Sequence, residues 1–142
     1  GMAGASTVLV SSNPVEDFKG NCLIVVDTGP EIVRGSTRLK AGTAAKMVLN
    51  MISTVSMIKV GRVVANEMVF MRPANRKLFS RAVAMLSQVL QVDAAVAEKL
   101  LEQADNLPAA AIVMHMREMD LNQAMAAIDN DPLVVRRALQ ES

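Results

Sequence analysis

Residues 28–43 read Thr28-Gly-Pro-Glu-Ile-Val-Arg-Gly-Ser-Thr-Arg-Leu-Lys-Ala-Gly-Thr43, and this stretch organises the rest of the chain. Directly before it, Leu23–Val26 is a short apolar run that is typical of a buried β-strand. Asp27–Gly35 contains two glycines and a proline, which favour a loop. A long apolar segment follows, so the sequence predicts a strand, a loop and the start of a helix.

The predicted helix start carries an informative set of polar side chains. Ser36 or Thr37 can serve as the N-cap, because a side-chain oxygen there accepts an otherwise unpaired backbone N–H. Arg38 and Lys40 face the positive end of the helix dipole, which is unfavourable unless an anion is bound. Backbone N–H groups, two hydroxyls and two cations would converge on such an anion, as in a phosphate site. Alternatively, the cations pair with the acidic residues of the preceding loop or point into water.

Composition excludes several classes of function. The 142 residues include 15 basic and 14 acidic ones, and this balance argues against a general nucleic-acid or membrane-surface binder. The chain has no Trp or Tyr, so it lacks platforms for base stacking. One Cys excludes an internal disulfide and a multi-thiolate metal site, and one His excludes a His-rich metal site. Charged residues interrupt the longest apolar stretch, so we expect no membrane span, no metal, no cofactor and a cytoplasmic protein.

Two short strands and one long helix are predicted for the first half of the chain. Ser6–Val10 and Leu23–Val26 are the strands, and their connection is short for a crossover helix. Two strands alone do not form an independently stable sheet. A helix over about 37–60 would cover them, with Thr43 and Lys46 on its polar arc. Since it is apolar around most of its circumference, we expect one side to meet the sheet and another a second subunit.

The second half of the chain is predicted to be a series of short capped helices. Val63–Met71 is ambiguous between extended and helical structure. After it, Asp, Asn and Pro stand where helix starts favour them. The predicted helices cover Asn75–Leu90, Asp93–Ala104 and Pro108 to about Glu118, followed by one that begins at Asp120 and one at Asp131-Pro132. We interpret the single His115 as a structural residue.

Residues 29–50, Gly29-Pro-Glu-Ile-Val-Arg-Gly-Ser-Thr-Arg-Leu-Lys-Ala-Gly-Thr-Ala-Ala-Lys-Met-Val-Leu-Asn50, resemble a family signature. It is that of the N-acetylmuramic acid 6-phosphate etherases and the glucokinase regulatory protein, sugar-isomerase (SIS) domain proteins that bind phosphosugars. The resemblance covers nearly all of this chain but only the C-terminal part of the family pattern. It implies an α/β fold of truncated SIS type, with a partial parallel sheet and a long central helix over residues 1–71. An all-helical C-terminal subdomain would occupy residues 72–142, giving a mostly helical protein.

The resemblance also implies a ligand and a site. The etherases cleave a lactyl ether to N-acetylglucosamine 6-phosphate and lactate, so the expected ligand is a phosphorylated amino sugar. The family's phosphate loop and catalytic carboxylates belong to its N-terminal half, so we expect binding rather than catalysis by this chain alone and assign no catalytic residue. The expected partner is a second copy, or another chain that completes the SIS sheet. Alternatives are a non-catalytic regulatory or dimerisation module and a phosphosugar isomerase-like fragment.

Carried over by position, the expected sugar-phosphate contacts come from one loop and the helix start. Arg38 or Lys40 would meet the anion, and Glu31 would accept sugar hydroxyls or an amide proton. The expected contact residues are Glu31, Ser36, Thr37, Arg38 and Lys40, with Thr43 and Lys46 as a second tier.

Overall fold

A computed structural model describes residues 4–141, in which six helices and four short strands form two compact units, Gly1–Val55 and Ser56–Ser142. Of the described residues, 52% are helical, which confirms the prediction of a mostly helical protein with a small parallel sheet. The strands are β1 (Val8–Ser11), β2 (Cys22–Val25), β3 (Val63–Val64) and β4 (Glu67–Met68). The helices are α1 (Lys40–Lys59), α2 (Arg76–Leu90), α3 (Ala94–Gln103), α4 (Pro108–Arg117), α5 (Leu121–Asn130) and α6 (Val134–Gln140).

The parallel sheet of the first unit consists of β1 and β2. Val8 pairs with Cys22 and Ser11 with Val25, and the Val26 N–H extends the ladder to the Ser11 carbonyl at 2.8 Å. Both strands lie within one or two residues of their predicted positions. Because the described sheet has only two strands, each of them presents an edge.

The long helix α1 differs from its prediction in start and in burial. It begins at Lys40, because residues 36–39 form tight turns rather than helix. None of its residues is buried, so the sheet covers this helix less than predicted, whereas the expected contact with a second subunit stays a prediction. The physical reason is size: a helix of 20 residues is about 30 Å long, whereas each strand of the first unit has four residues and spans about 13 Å.

The second unit is built around α4. Every residue from Pro108 to Val113 is buried, because α2, α3, α5 and α6 all pack against this helix. Apolar side chains at helical spacing on those helices complete the core, among them Leu86, Leu101, Ile128 and Val135. Apolar spacing does not place every such side chain in the core, since Val96 of α3 is 45% exposed.

The ambiguous segment before α2 is extended. β3 and β4 form an antiparallel hairpin in which Val63 pairs with Met68. Its turn residues, Ala65 and Asn66, both have positive φ, 49° and 65°, as a type I′ turn requires. The chain then runs directly into the core, where the Val69 carbonyl accepts the Ala109 N–H at 2.8 Å.

Local capping explains where the helices of the second unit begin. The Asn75 side chain accepts the Leu78 N–H at 3.0 Å, so the predicted start of α2 is confirmed to within one residue. Asp120 and Gln123 form a capping box at the start of α5. Asp93 precedes α3 as predicted, but its side chain makes no capping hydrogen bond.

Candidate functional site

The loop between β2 and α1 follows a path set by tight turns. The Asp27 carboxylate accepts the Gly29 N–H at 2.9 Å, and Gly29 has a φ of 61°. Farther along, the Ser36 N–H donates to the Val33 carbonyl at 3.0 Å, with Gly35 at a φ of 82° between them. The glycines occupy backbone conformations that other residues rarely adopt, so the loop depends on them.

The N-terminus of α1 is capped by Glu31 and not by the predicted Ser36 or Thr37. One carboxylate oxygen of Glu31 accepts the Lys40 N–H and the other accepts the Ala41 N–H, each at 3.0 Å. A helix leaves its first N–H groups without an internal partner, and a carboxylate is well placed to accept them near the positive end of the dipole. The loop therefore supplies an anion of its own at the helix start.

The same contacts control the charge of Glu31. The hydrogen bonds from the Ala41 and Lys40 backbone hold the pKa of the Glu31 carboxyl below its usual range, and the Lys40 ammonium acts in the same direction, while burial opposes them. Each of these donors favours the charged form. Glu31 is consequently a carboxylate at neutral pH and is not a proton donor there.

Three of the predicted contact residues project from the outer part of this loop. Thr37 and Arg38 are exposed and Ser36 is partly buried. Within residues 4–141, their side chains make no hydrogen bond or salt bridge. Pairing of Arg38 with a loop carboxylate is therefore not observed, whereas its exposure fits the other alternative, a side chain that points into water. All three polar groups are accessible to a ligand.

The remaining predicted residues lie on α1. Lys40 and Thr43 line a shallow, open depression of about 480 Å³ together with Leu39, Ala44 and Met47. Neither Lys46 nor the three loop residues belong to its lining. The structure thus brings Lys40 and Thr43 together and leaves the loop hydroxyls and Arg38 outside that depression.

Gly42 fixes the distance between the loop and the first turn of α1. Its N–H donates to the Thr37 carbonyl at 2.8 Å, and a Cβ at this position would lie 3.2 Å from that same oxygen. Contacts this short require some displacement of the neighbouring atom, so a side chain here would push the loop away from the helix.

A cleft in the second unit was not anticipated from the sequence. It has a volume of about 760 Å³, and its polar lining consists of Glu67, Gln88, Gln91 and His115. These residues come from the hairpin, the end of α2 and α4, which are separate in the sequence, so no local pattern indicates the cleft. His115 is exposed at its edge rather than held in the core.

The described residues contain neither a metal-binding group of side chains nor a membrane-spanning helix. Among the described residues, no three His, Cys, Asp or Glu side chains come together in a group that could hold a metal ion. No helix in that part of the chain is both long enough and apolar enough to cross a membrane.

Comparison with known proteins gives the family. The chain is 43% identical over 136 residues to the N-acetylmuramic acid 6-phosphate etherase of Oceanobacillus iheyensis. The aligned residues cover 94% of this chain and 46% of that etherase. It is 41% identical over 140 residues to N-acetylmuramic acid 6-phosphate etherase 2 of Vibrio cholerae, covering 97% and 46% of the two chains. The etherase of Rhodopirellula baltica is 45% identical over 118 residues, which are 82% of this chain and 39% of that one. The chain belongs to the N-acetylmuramic acid 6-phosphate etherase family.

It corresponds to the C-terminal part of the etherase pattern and spans about half the length of the curated etherases it matches, 46% for the first two. A comparison with protein-family profiles found no match.

Proposed function

We propose that this chain is the phosphosugar-binding C-terminal part of an etherase and that it binds a phosphorylated amino sugar through the loop before α1. The observation that carries the proposal is that the accessible side chains of Ser36, Thr37 and Arg38 on that loop make no hydrogen bond or ion pair within the described residues, in a chain similar to etherases. Hydroxyls and a guanidinium that lack internal partners suit a phosphate. Lys40, Thr43 and Lys46 add cationic and hydroxyl groups along the first turns of α1.

The proposal includes binding but no catalysis by this chain alone. Ether cleavage needs a group that protonates the departing oxygen and a base that removes a proton. Glu31 is the carboxylate nearest to the proposed contacts in sequence, and its lowered pKa makes it unsuited to give up a proton at neutral pH. The name of the relatives supports N-acetylmuramic acid 6-phosphate as the ligand.

A thermal-shift titration tests the binding. N-Acetylmuramic acid 6-phosphate, glucosamine 6-phosphate and fructose phosphates are compared with inorganic phosphate. A ligand at 100 times its dissociation constant should stabilise the chain by about 2.7 kcal/mol. The stabilisation should disappear in the double variant Arg38→Ala/Lys40→Ala and persist in Arg34→Ala, which removes an exposed cation from the same loop. A folded wild-type chain that no sugar phosphate stabilises would refute the proposal.

The exposed surface of α1 favours a second function, self-association. Met47, Met51 and Val55 are 50%, 58% and 49% exposed, and further apolar side chains of α1 are exposed beside them. Continuous apolar surface of this kind commonly marks an interaction site. We infer that this helix pairs with a second copy, or with another chain that also completes the two-stranded sheet.

Light scattering coupled to gel filtration tests the association at micromolar concentration. The wild-type chain should elute as a dimer. Met51→Glu places a charge on the exposed apolar surface and should give a monomer, whereas Asn50→Glu, its polar neighbour, should not change the mass. A monomeric wild-type chain at 100 micromolar (roughly a saturating concentration for a stable dimer) would rule out the second copy.

A further inference from the structure

Glu31 uses both of its carboxylate oxygens within the chain. The Lys40 N–H and the Ala41 N–H each donate to a different oxygen at 3.0 Å, and the two donors stand nine and ten residues further along. This two-point contact joins the beginning of the loop to the first turn of α1. A sugar hydroxyl that bound Glu31 would have to share oxygens that are already engaged.

The rest of the loop is held by short-range bonds. The Ser36 N–H donates to the Val33 carbonyl at 3.0 Å and the Leu39 N–H donates to the Ser36 carbonyl at 3.3 Å. Such bonds shape individual turns but do not fix the turns against the helix. Within the described residues, that closure comes from Glu31 and from two backbone bonds, in which the Gly42 N–H donates to the Thr37 carbonyl at 2.8 Å and the Thr43 N–H donates to the Leu39 carbonyl at 3.0 Å.

We propose that Glu31 is a positioning residue, whose carboxylate closes residues 31–41 onto the start of α1 and thereby presents Ser36, Thr37 and Arg38 to the ligand without touching it. This inference rests on the proposed function, namely that the loop binds a phosphosugar. It assigns the phosphate to the loop side chains, because the first N–H groups of α1 already have a carboxylate partner. A preorganised loop binds a ligand more tightly, because it loses less conformational entropy on binding.

The first arm of the test uses no ligand. Amide hydrogen exchange is followed by NMR in the wild-type chain, Glu31→Gln and Glu31→Ala. The Lys40 and Ala41 amides should be protected in the wild type, partly protected in Glu31→Gln, which keeps one acceptor oxygen, and unprotected in Glu31→Ala. Asp27→Ala, which removes the neighbouring carboxylate of the same loop, should leave both amides protected. Equal exchange in the wild type and Glu31→Ala would overturn the inference by itself.

The second arm measures affinity by calorimetry for N-acetylmuramic acid 6-phosphate, glucosamine 6-phosphate and inorganic phosphate. A positioning residue affects the binding of all three ligands alike, so Glu31→Ala should lower the affinity for each by a similar factor. The factor is about tenfold if the backbone of roughly one residue must be ordered again on binding. The preference among the three ligands should stay unchanged, and Glu31→Gln should lose less than Glu31→Ala.

Each other result of the second arm has a defined meaning. If Glu31→Ala no longer bound the sugar phosphates but bound inorganic phosphate with unchanged affinity, Glu31 would be shown to contact the sugar. That result would overturn the inference. Tighter binding of inorganic phosphate to Glu31→Ala would show that the carboxylate only occupies the anion position, which also overturns it. If the wild-type chain bound none of the three ligands, the proposed function would be overturned, and with it the role of Glu31 in positioning the loop for a ligand. The hydrogen-exchange experiment would still show whether Glu31 closes the loop onto α1.

Discussion

Gly61, directly after α1, has no room for a side chain. It is buried, its φ is 77°, and an added Cβ would lie 2.7 Å from the Pro132 carbonyl oxygen and 3.1 Å from Cδ2 of Leu133. The carbonyl belongs to the backbone between α5 and α6, so it cannot rotate away as a flexible side chain would. We therefore expect Gly61→Ala to destabilise the unit Ser56–Ser142.

Two terms set the magnitude for Gly61→Ala. A left-handed backbone conformation costs a residue with a Cβ about 1–2 kcal/mol. Overpacking at a close contact costs about 1–3 kcal/mol more. The sum, about 2–5 kcal/mol, is a large share of the roughly 5–15 kcal/mol that stabilises a typical domain.

Urea denaturation followed by far-ultraviolet circular dichroism measures the loss, since the chain has no Trp or Tyr to report by fluorescence. Ser56→Ala, an exposed substitution near the end of the same helix, is the control and should change the free energy of unfolding by about 0.5 kcal/mol or less. A loss below about 2 kcal/mol for Gly61→Ala would refute the close contact with Pro132, because the backbone term alone accounts for a loss of that size.

Three further predictions concern the core, a cap and pH. Ile112→Ala removes a fully buried side chain of α4 and should cost about 2–5 kcal/mol in the same urea assay, whereas Ile32→Ala, at 88% exposure, should be nearly neutral. Asp120→Ala breaks the capping box of α5 and should cost about 0.5–2 kcal/mol, with Asn122→Ala as an exposed control in the same turn. The pKa of Glu31 is lowered from 4.5, so its contribution to stability is complete above that pH and is lost as the pH falls through the folded-state pKa. Protection of the Ala41 amide should therefore fall in that acidic range in the wild type, and a pH-independent protection would contradict the cap.

Local signals explain the features that the sequence predicts well. Asn75 and Asp120 mark helix starts because each side chain bonds to an N–H three residues further along, within reach of any chain that turns there. The apolar spacing along α2 likewise predicts its buried face, whereas α4 is buried at six consecutive residues, Pro108 to Val113. The hairpin turn at Ala65-Asn66 was missed, since Ala is uncommon at a position with positive φ.

The candidate site was predicted only in part. The sequence located the loop and its polar residues, and their role in binding stays a prediction. It misplaced the cap of α1, because Ser36 and Thr37 fit the local rule, whereas Glu31 reaches the N–H groups of the observed helix start across a folded loop. Capping rules consider side chains and N–H groups about three residues apart. They do not describe contacts between residues nine or ten positions apart.

By itself, the sequence determined the family, the mostly helical composition and the order of strand, loop and helix, because these depend on residue type and spacing along the chain. Tertiary structure decided which groups meet across long separations. The Arg136 guanidinium donates to the Ile58 carbonyl at 2.7 Å, 78 residues away, and so binds the end of α1 to α6. It also decided how little of α1 this chain itself covers: apolar periodicity predicts that a helix packs against other surfaces, but only the folded chain shows which of its residues are buried.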